Sequence, residues 1–75
     1  MPRLLGVKPR DLIRVLESLG FLQHRKMSGS HLIFKHEDRR RTIVPVHGSK
    51  DIPKGTLLAI LKDVNISKED FLKIL

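Results

Sequence analysis

His31 is the residue whose type and setting could support catalysis. It follows Gly29-Ser30 in a segment, residues 25–36, that predicts two short antiparallel strands joined by a tight turn. Basic residues flank this turn, and imidazole is the side chain that exchanges protons most readily near neutral pH. The hairpin therefore presents a candidate general acid or base to an anionic substrate.

The pairing of the two strands decides what lies beside His31. A three-residue loop, Met27-Ser28-Gly29, with Gly29 in the left-handed conformation that such loops need, sets one register. This register gathers apolar side chains on one face. It pairs Leu22 with Phe34, His24 with Leu32, and Arg25 with His31.

A two-residue loop at 28–29 gives an alternative register. It would set Gln23 against Phe34 and Arg25 against Leu32, which spoils the apolar face. The sequence favours the first register for this reason.

RNA cleavage by attack of the 2′-hydroxyl on the adjacent phosphate is a reaction that this hairpin fits. It needs a base for the 2′-hydroxyl proton, an acid for the leaving oxygen, and donors for the charge that develops around phosphorus. His31 can fill either of the first two roles. In both registers Arg25 or Lys26 lies opposite His31. These cations can fill the third role, together with the backbone N–H groups of Gly29 and Ser30. The cations disfavour the protonated imidazole, whereas a bound phosphate favours it.

The charge of the chain points to a polyanionic partner. Fifteen Lys and Arg residues against eight Asp and Glu residues give a net charge of +7, and the pI is about 10.4. Residues 25–41 hold six cationic and two acidic residues, a net charge of +4, so more than half of the excess lies there. Beyond the hairpin turn, the predicted RNA contacts are Lys35, Arg40 and Arg41.

Hydrophobic periodicity predicts a helix followed by three strands. Pro9 in the first turn and Gly20 at the end bound a helix of about three turns. The strands are predicted at 21–26, 30–36 and 41–46. Pro45 cannot donate a hydrogen bond to a neighbouring strand, so the third strand lies at an edge or ends there.

Two further helices are predicted after a loop. The first runs from 53 or 54 to about 64, with Leu57, Leu58 and Leu61 on its buried side. Ser67 then caps a short third helix whose apolar residues are Phe71, Leu72 and Leu75.

These elements predict one α+β domain over residues 1–75, in the order α-β-β-β-α with a short extra C-terminal helix. A chain of 75 residues is too short to cover both faces of a three-stranded antiparallel sheet. The helices are therefore expected on one face. The other face is expected to stay open and to carry His31, Ile33 and Lys35.

The remaining histidines receive no catalytic role. His24 is predicted on the core face, His36 in solvent and His47 at the start of a loop. No HExxH motif, helical i, i+4 histidine pair or cysteine is present, so neither a metal site nor a cofactor is expected. The lack of cysteine, of a membrane-length apolar run and of a signal-peptide core predicts an unprocessed cytoplasmic chain that does not enter a membrane.

Four short motifs between residues 8 and 72 occur in a recognisable order. They are Leu19-Gly20-Phe21, then Gly29-Ser30-His31-Leu32-Ile33-Phe34, then Val44-Pro45-Val46-His47-Gly48, and then the run from Lys54 to Lys62. Together they resemble the HicA (YcfA-like) toxin family of bacterial and archaeal toxin–antitoxin systems. The resemblance implies a double-stranded-RNA-binding-domain-like fold, metal-independent ribonuclease activity on mRNA, and inhibition by a HicB-type antitoxin. The catalytic histidine of the family follows a Gly-Ser turn, which corresponds to His31 here.

Two functions of other classes fit the residues as well. One is a non-catalytic RNA-binding module, which would use the same fold and charge to bind phosphates by shape. The other is a docking protein for an acidic partner. Three phenylalanines are the only aromatic residues besides histidine, so stacking on single-stranded bases is poorly supplied.

Overall fold

Helices and strands follow one another in the order α-β-β-β-α-α. In the computed structural model, which describes residues 4–26 and 29–75, they are α1 Pro9–Ser18, β1 Leu22–Lys26, β2 His31–Lys35, β3 Arg41–Pro45, α2 Lys54–Asp63 and α3 Lys68–Ile74. The strands pair antiparallel in the order β1-β2-β3. The predicted α+β class, the three-stranded antiparallel sheet and the short extra helix are confirmed.

The helix boundaries follow the predicted signals. Pro9 stands in the first turn of α1, where its missing N–H removes no helical hydrogen bond. Gly20 ends the helix with φ +95°, and a Cβ at this position would lie 2.9 Å from Nε2 of His36. Only glycine satisfies both conditions. Ser67 caps α3, because its Oγ accepts the N–H of Asp70 at 3.0 Å.

The core lies between one face of the sheet and the helices. The fully buried side chains come from every helix, from the β2 and β3 strands and from the segment before β1, and the largest are Leu12, Val15, Leu16, Phe21, Phe34, Val44, Leu57, Val64 and Phe71. Along β2, Phe34 is buried whereas His31 and Lys35 are exposed. The alternation confirms the open face that the sequence predicts.

The predicted register between β1 and β2 is wrong. Leu22 pairs with Lys35 and Gln23 with Phe34, as in the alternative register, and a bulge between Gln23 and Arg25 then shifts the pairing. Beyond the bulge Arg25 pairs with Ile33 and Lys26 with Leu32. The extra residue in β1 moves both basic residues away from His31. The expectation that Arg25 or Lys26 lies opposite His31 is therefore wrong.

Three side chains that the sequence predicts on the core side are exposed in the structure. Leu22 is 72% exposed rather than facing the core, and His24 is exposed at the bulge. On α2, Ile60 is buried whereas Leu58 is 38% exposed. The buried stripe of α2 thus follows the spacing 57, 60, 61, 64, and Leu58 lies off that stripe.

His36 and Arg40 join the sheet to the helices. The His36 ring packs edge-on against Phe21 with centroids 5.0 Å apart, and its side chain is only 18% exposed. The Arg40 guanidinium lies 5.0 Å from the centre of the same Phe21 ring and donates to the carbonyl of Val64 at the end of α2. The expectation that His36 is solvated is wrong, because the ring covers Phe21.

Asp38 holds the guanidinium in this position. Arg40 donates through Nε to the Asp38 carboxylate at 2.9 Å and approaches it through a second nitrogen at 2.8 Å. The Arg40 hydrogen bond keeps the pKa of Asp38 below its ordinary value of 3.8. The turn between β2 and β3 is thereby fixed against the helical layer.

Replacing Arg40 is expected to destabilise the fold. Arg40→Met keeps much of the aliphatic length but leaves the Val64 carbonyl without its donor and removes the cation from Phe21. We expect a loss of about 1–3 kcal/mol in the free energy of unfolding, measured by urea titration. Arg10→Met, which removes the same charge from an exposed position on α1, is the control and should change stability by less than about 0.5 kcal/mol. Equal effects of the two substitutions would contradict the structural role of Arg40.

Candidate functional site

The open face of the sheet is arranged in three cross-strand pairs. These pairs between β2 and β3 are His31 with Pro45, Ile33 with Ile43, and Lys35 with Arg41. The face is therefore imidazole at one end, half-buried and apolar in the middle, and cationic at the other end. We call these six residues the open face.

His31 lies at the start of β2 and is exposed. Four residues of extended strand separate it from Lys35, which corresponds to about 13 Å. A group bound at His31 therefore does not contact Lys35. A chain with phosphates at regular intervals can contact both.

Lys35 and Arg41 form a like-charge pair across two strands. Like charges directly opposite each other destabilise a sheet. Within residues 4–26 and 29–75, neither side chain makes an ion pair that would neutralise it. The pair therefore creates a positive potential at one end of the open face, which is suited to an anion.

Arg40 differs from its neighbour Arg41. Its guanidinium is held by Asp38 and Val64, and its side chain is 33% exposed. The sequence predicted both arginines as RNA contacts without distinguishing them. The structure gives Arg40 a structural role in addition, which the sequence did not predict.

The hairpin turn is described in part. Gly29 has φ +51°, the left-handed conformation predicted for it. The predicted loop residues Met27 and Ser28 lie outside the described residues. For Arg25 and Lys26 the structure gives the backbone pairing, with Ile33 and Leu32 respectively.

A second histidine lies beside His31. The rings of His31 and His47 have centroids 6.1 Å apart and are nearly perpendicular, at 86°. Nδ1 of His47 lies 3.2 Å from Oγ of Ser30, within hydrogen-bond distance. Both histidines are exposed. From the sequence alone, His47 is predicted only at the start of a loop and is assigned no role.

The position of His47 follows from the pairing of β2 with β3. The backbone N–H of Val46 donates to the carbonyl of Ser30 at 2.6 Å, so the ladder continues past Pro45. In extended chain, residues 45 and 47 point to the same side of the sheet. The β2–β3 register, which the sequence does not predict and in which His31 lies opposite Pro45, therefore places His47 on the open face diagonally from His31.

Neither a metal cluster nor a membrane helix is found in the part of the chain that the structure describes. No group of three or more His, Cys, Asp or Glu side chains is arranged to hold a metal ion there. No helix in the same residues has the length and apolar character needed to cross a bilayer.

Comparison with known proteins assigns the family. A family model described as the HicA toxin of bacterial toxin–antitoxin matches residues 9–66. The match runs from the start of α1 past the end of α2, and it includes all six residues of the open face as well as His47. A comparison with individually curated proteins gave no match.

Proposed function

We propose that this chain, which belongs to the HicA toxin family and is the toxin of a toxin–antitoxin pair, is a metal-independent endoribonuclease that cleaves mRNA. His31 acts as general acid or base in the reaction. A HicB-type antitoxin inhibits it by covering the open face. The observation that carries the proposal is the exposed His31 on a sheet face whose far end holds the opposed cations Lys35 and Arg41.

The reaction uses the 2′-hydroxyl of the RNA as nucleophile. The 2′-oxygen bonds to the adjacent phosphorus while its proton passes to a base, and the bond from phosphorus to the 5′-oxygen breaks as that oxygen receives a proton. The products are a 2′,3′-cyclic phosphate and a free 5′-hydroxyl. Imidazole suits either proton transfer, and such catalysis contributes typically about 10²- to 10⁴-fold to the rate.

Charge along the open face supports binding of the RNA backbone. With the scissile phosphate at His31, a phosphate further along the chain lies near Lys35 and Arg41, about 13 Å away along β2. The half-buried pair Ile33 and Ile43 lies between them and supports apolar contact with ribose or base faces.

The hairpin turn supports stabilisation of the charge that develops in the transition state. The backbone N–H groups of Gly29 and Ser30 are close to His31 in the chain, and backbone donors are a common means of binding an oxyanion. Arg25 and Lys26 add positive charge to the neighbouring strand. We assign these residues to the binding of RNA, and Arg40 to a smaller share than Arg41 because its guanidinium is already engaged.

His31→Ala is expected to abolish RNA cleavage without unfolding the protein. An exposed histidine at the start of a strand contributes little to packing, whereas the loss of proton transfer costs about 10²- to 10⁴-fold in rate. The measurement is cleavage of a defined RNA in buffer with EDTA, with circular dichroism to confirm the fold. His24→Ala, which removes an exposed histidine at the β1 bulge, is the matched control and should cleave RNA like the parent chain.

The outcomes separate the three function classes. A folded His31→Ala variant with full activity would contradict the assignment of His31. A parent chain that binds RNA but does not cut it is a non-catalytic RNA-binding module. A parent chain that binds only an acidic protein is the docking protein that the sequence also allows.

RNA binding should depend on salt through the cations of the open face. In the His31→Ala background, where RNA stays intact, neutralising Lys35 and Arg41 to Gln should reduce the slope of log K against log salt by about 1.4. The free energy of unfolding should not fall, because two opposed like charges are removed. Lys68→Gln with Lys73→Gln on α3 is the control, since it removes equal charge from the helical side. Equal changes of slope in the two double variants would contradict binding on the open face.

The antitoxin is expected to cover the open face. An acidic partner would meet the cations Lys35 and Arg41 around an apolar centre, which is typical of protein interfaces. Lysine acetylation read by mass spectrometry should show Lys35 protected in the complex and Lys68 and Lys73 still reactive. Arg41→Glu should slow association more than it speeds dissociation. Protection of the helical side alone would show that inhibition works in another way.

A further inference from the structure

Beside the hairpin turn, His47 lies close to both Ser30 and His31. His47 contacts Ser30 through Nδ1 at 3.2 Å, and its ring lies 6.1 Å from that of His31. The three side chains come from two segments, the turn before β2 and the continuation of β3, that are joined by the hydrogen bond from Val46 to Ser30. Their proximity is therefore a result of sheet pairing.

Ser30 determines which nitrogen of His47 is available. A hydroxyl can accept a hydrogen bond from a protonated Nδ1 or donate one to an unprotonated Nδ1. In either case Nδ1 is occupied by Ser30, and Nε2 is the nitrogen that remains to exchange a proton with a ligand. When Nδ1 is protonated and donates to Oγ of Ser30, this contact is kept while Nε2 gains or loses a proton.

One imidazole does not readily complete the proposed reaction. The attacking 2′-oxygen and the leaving 5′-oxygen lie on opposite sides of phosphorus in an in-line displacement. The base and the acid must therefore approach the phosphate from different directions. Two nearly perpendicular rings with centroids 6.1 Å apart can each contact a different oxygen of one phosphate.

On the basis of the proposed ribonuclease function, we propose that His31 and His47 are both catalytic residues and divide the two proton transfers, with Ser30 positioning His47. One imidazole takes the proton of the 2′-hydroxyl as the oxygen bonds to phosphorus. The other, as imidazolium, gives a proton to the 5′-oxygen as its bond to phosphorus breaks. One proton enters the protein and one leaves it, and exchange with water then restores the starting protonation of both rings.

The test compares two RNA substrates that differ in the leaving atom. One has the natural 5′-oxygen at the cleavage site, and the other has a 5′-bridging sulfur, which leaves as a thiolate and needs no acid. His47→Ala and His31→Ala should each slow cleavage of the natural substrate by about 10²- to 10⁴-fold. With the sulfur substrate, one of the two variants should regain most of its activity and the other should not. The variant that recovers identifies the acid.

Controls separate a catalytic role of His47 from a structural one. His47→Gln keeps a polar side chain of similar length, and it should be as slow as His47→Ala while retaining the circular dichroism spectrum of the parent chain. His24→Ala should cleave both substrates normally. Ser30→Ala should slow the natural substrate by about tenfold, as expected for one lost hydrogen bond, and Ser30→Thr, which keeps the hydroxyl, should restore it.

The outcomes distinguish failure of this inference from failure of the proposed function. If His31→Ala is slow and His47→Ala or His47→Gln cleaves natural RNA like the parent chain, the ribonuclease function stands and the inference is wrong. If both variants are slow and neither or both recover with the sulfur substrate, the rings do not divide the transfers and the inference is also wrong. If the parent chain does not cleave RNA, the proposed function itself fails.

Discussion

Both the core and the candidate site depend on the alternation of side chains along β2 and its register against β3. Phe34 and its neighbours on one side of the sheet meet the helices, while His31, Ile33 and Lys35 face away from them. A slip of one residue would exchange the two sets, burying a lysine and a histidine and exposing Phe34. The free energy of burying the core therefore also maintains the arrangement of the site. Because the helices pack on one side only, the other side of the sheet stays accessible.

The sequence was sufficient to predict the helices and strands. It was insufficient for features that depend on contacts between residues far apart in the chain. Pro9, Gly20 and Ser67 mark helix boundaries through their own backbone chemistry, so local sequence predicts them. The bulge near His24 has no comparable local signal, because it depends on how β1 packs. The same holds for Arg40, whose contacts are with Phe21 and Val64 far along the chain.

The site was predictable in part for a similar reason. His31 and Lys35 could be placed on the open face because alternation is a local property of a strand. His47 could not, since its proximity to Ser30 depends on the β2–β3 register and on the continuation of the ladder past Pro45. The opposed cations Lys35 and Arg41 and the exposed histidines contribute little to folding. The opposed like charges of Lys35 and Arg41 lower stability, which is consistent with the proposed binding of an anion at this end of the open face.

The bulge in β1 and the proline in β3 have a further consequence, which concerns self-association. The two outer strands of a three-stranded sheet offer unpaired backbone groups to other chains, and regular, flat edges of this kind template aggregation. The irregular backbone between Gln23 and Arg25 interrupts one edge, beside the exposed Leu22 that would otherwise favour stacking. At the other edge Pro45 lacks an N–H and Arg41 adds charge. The sheet can thus leave one face uncovered and still resist adding strands from a second copy of the chain.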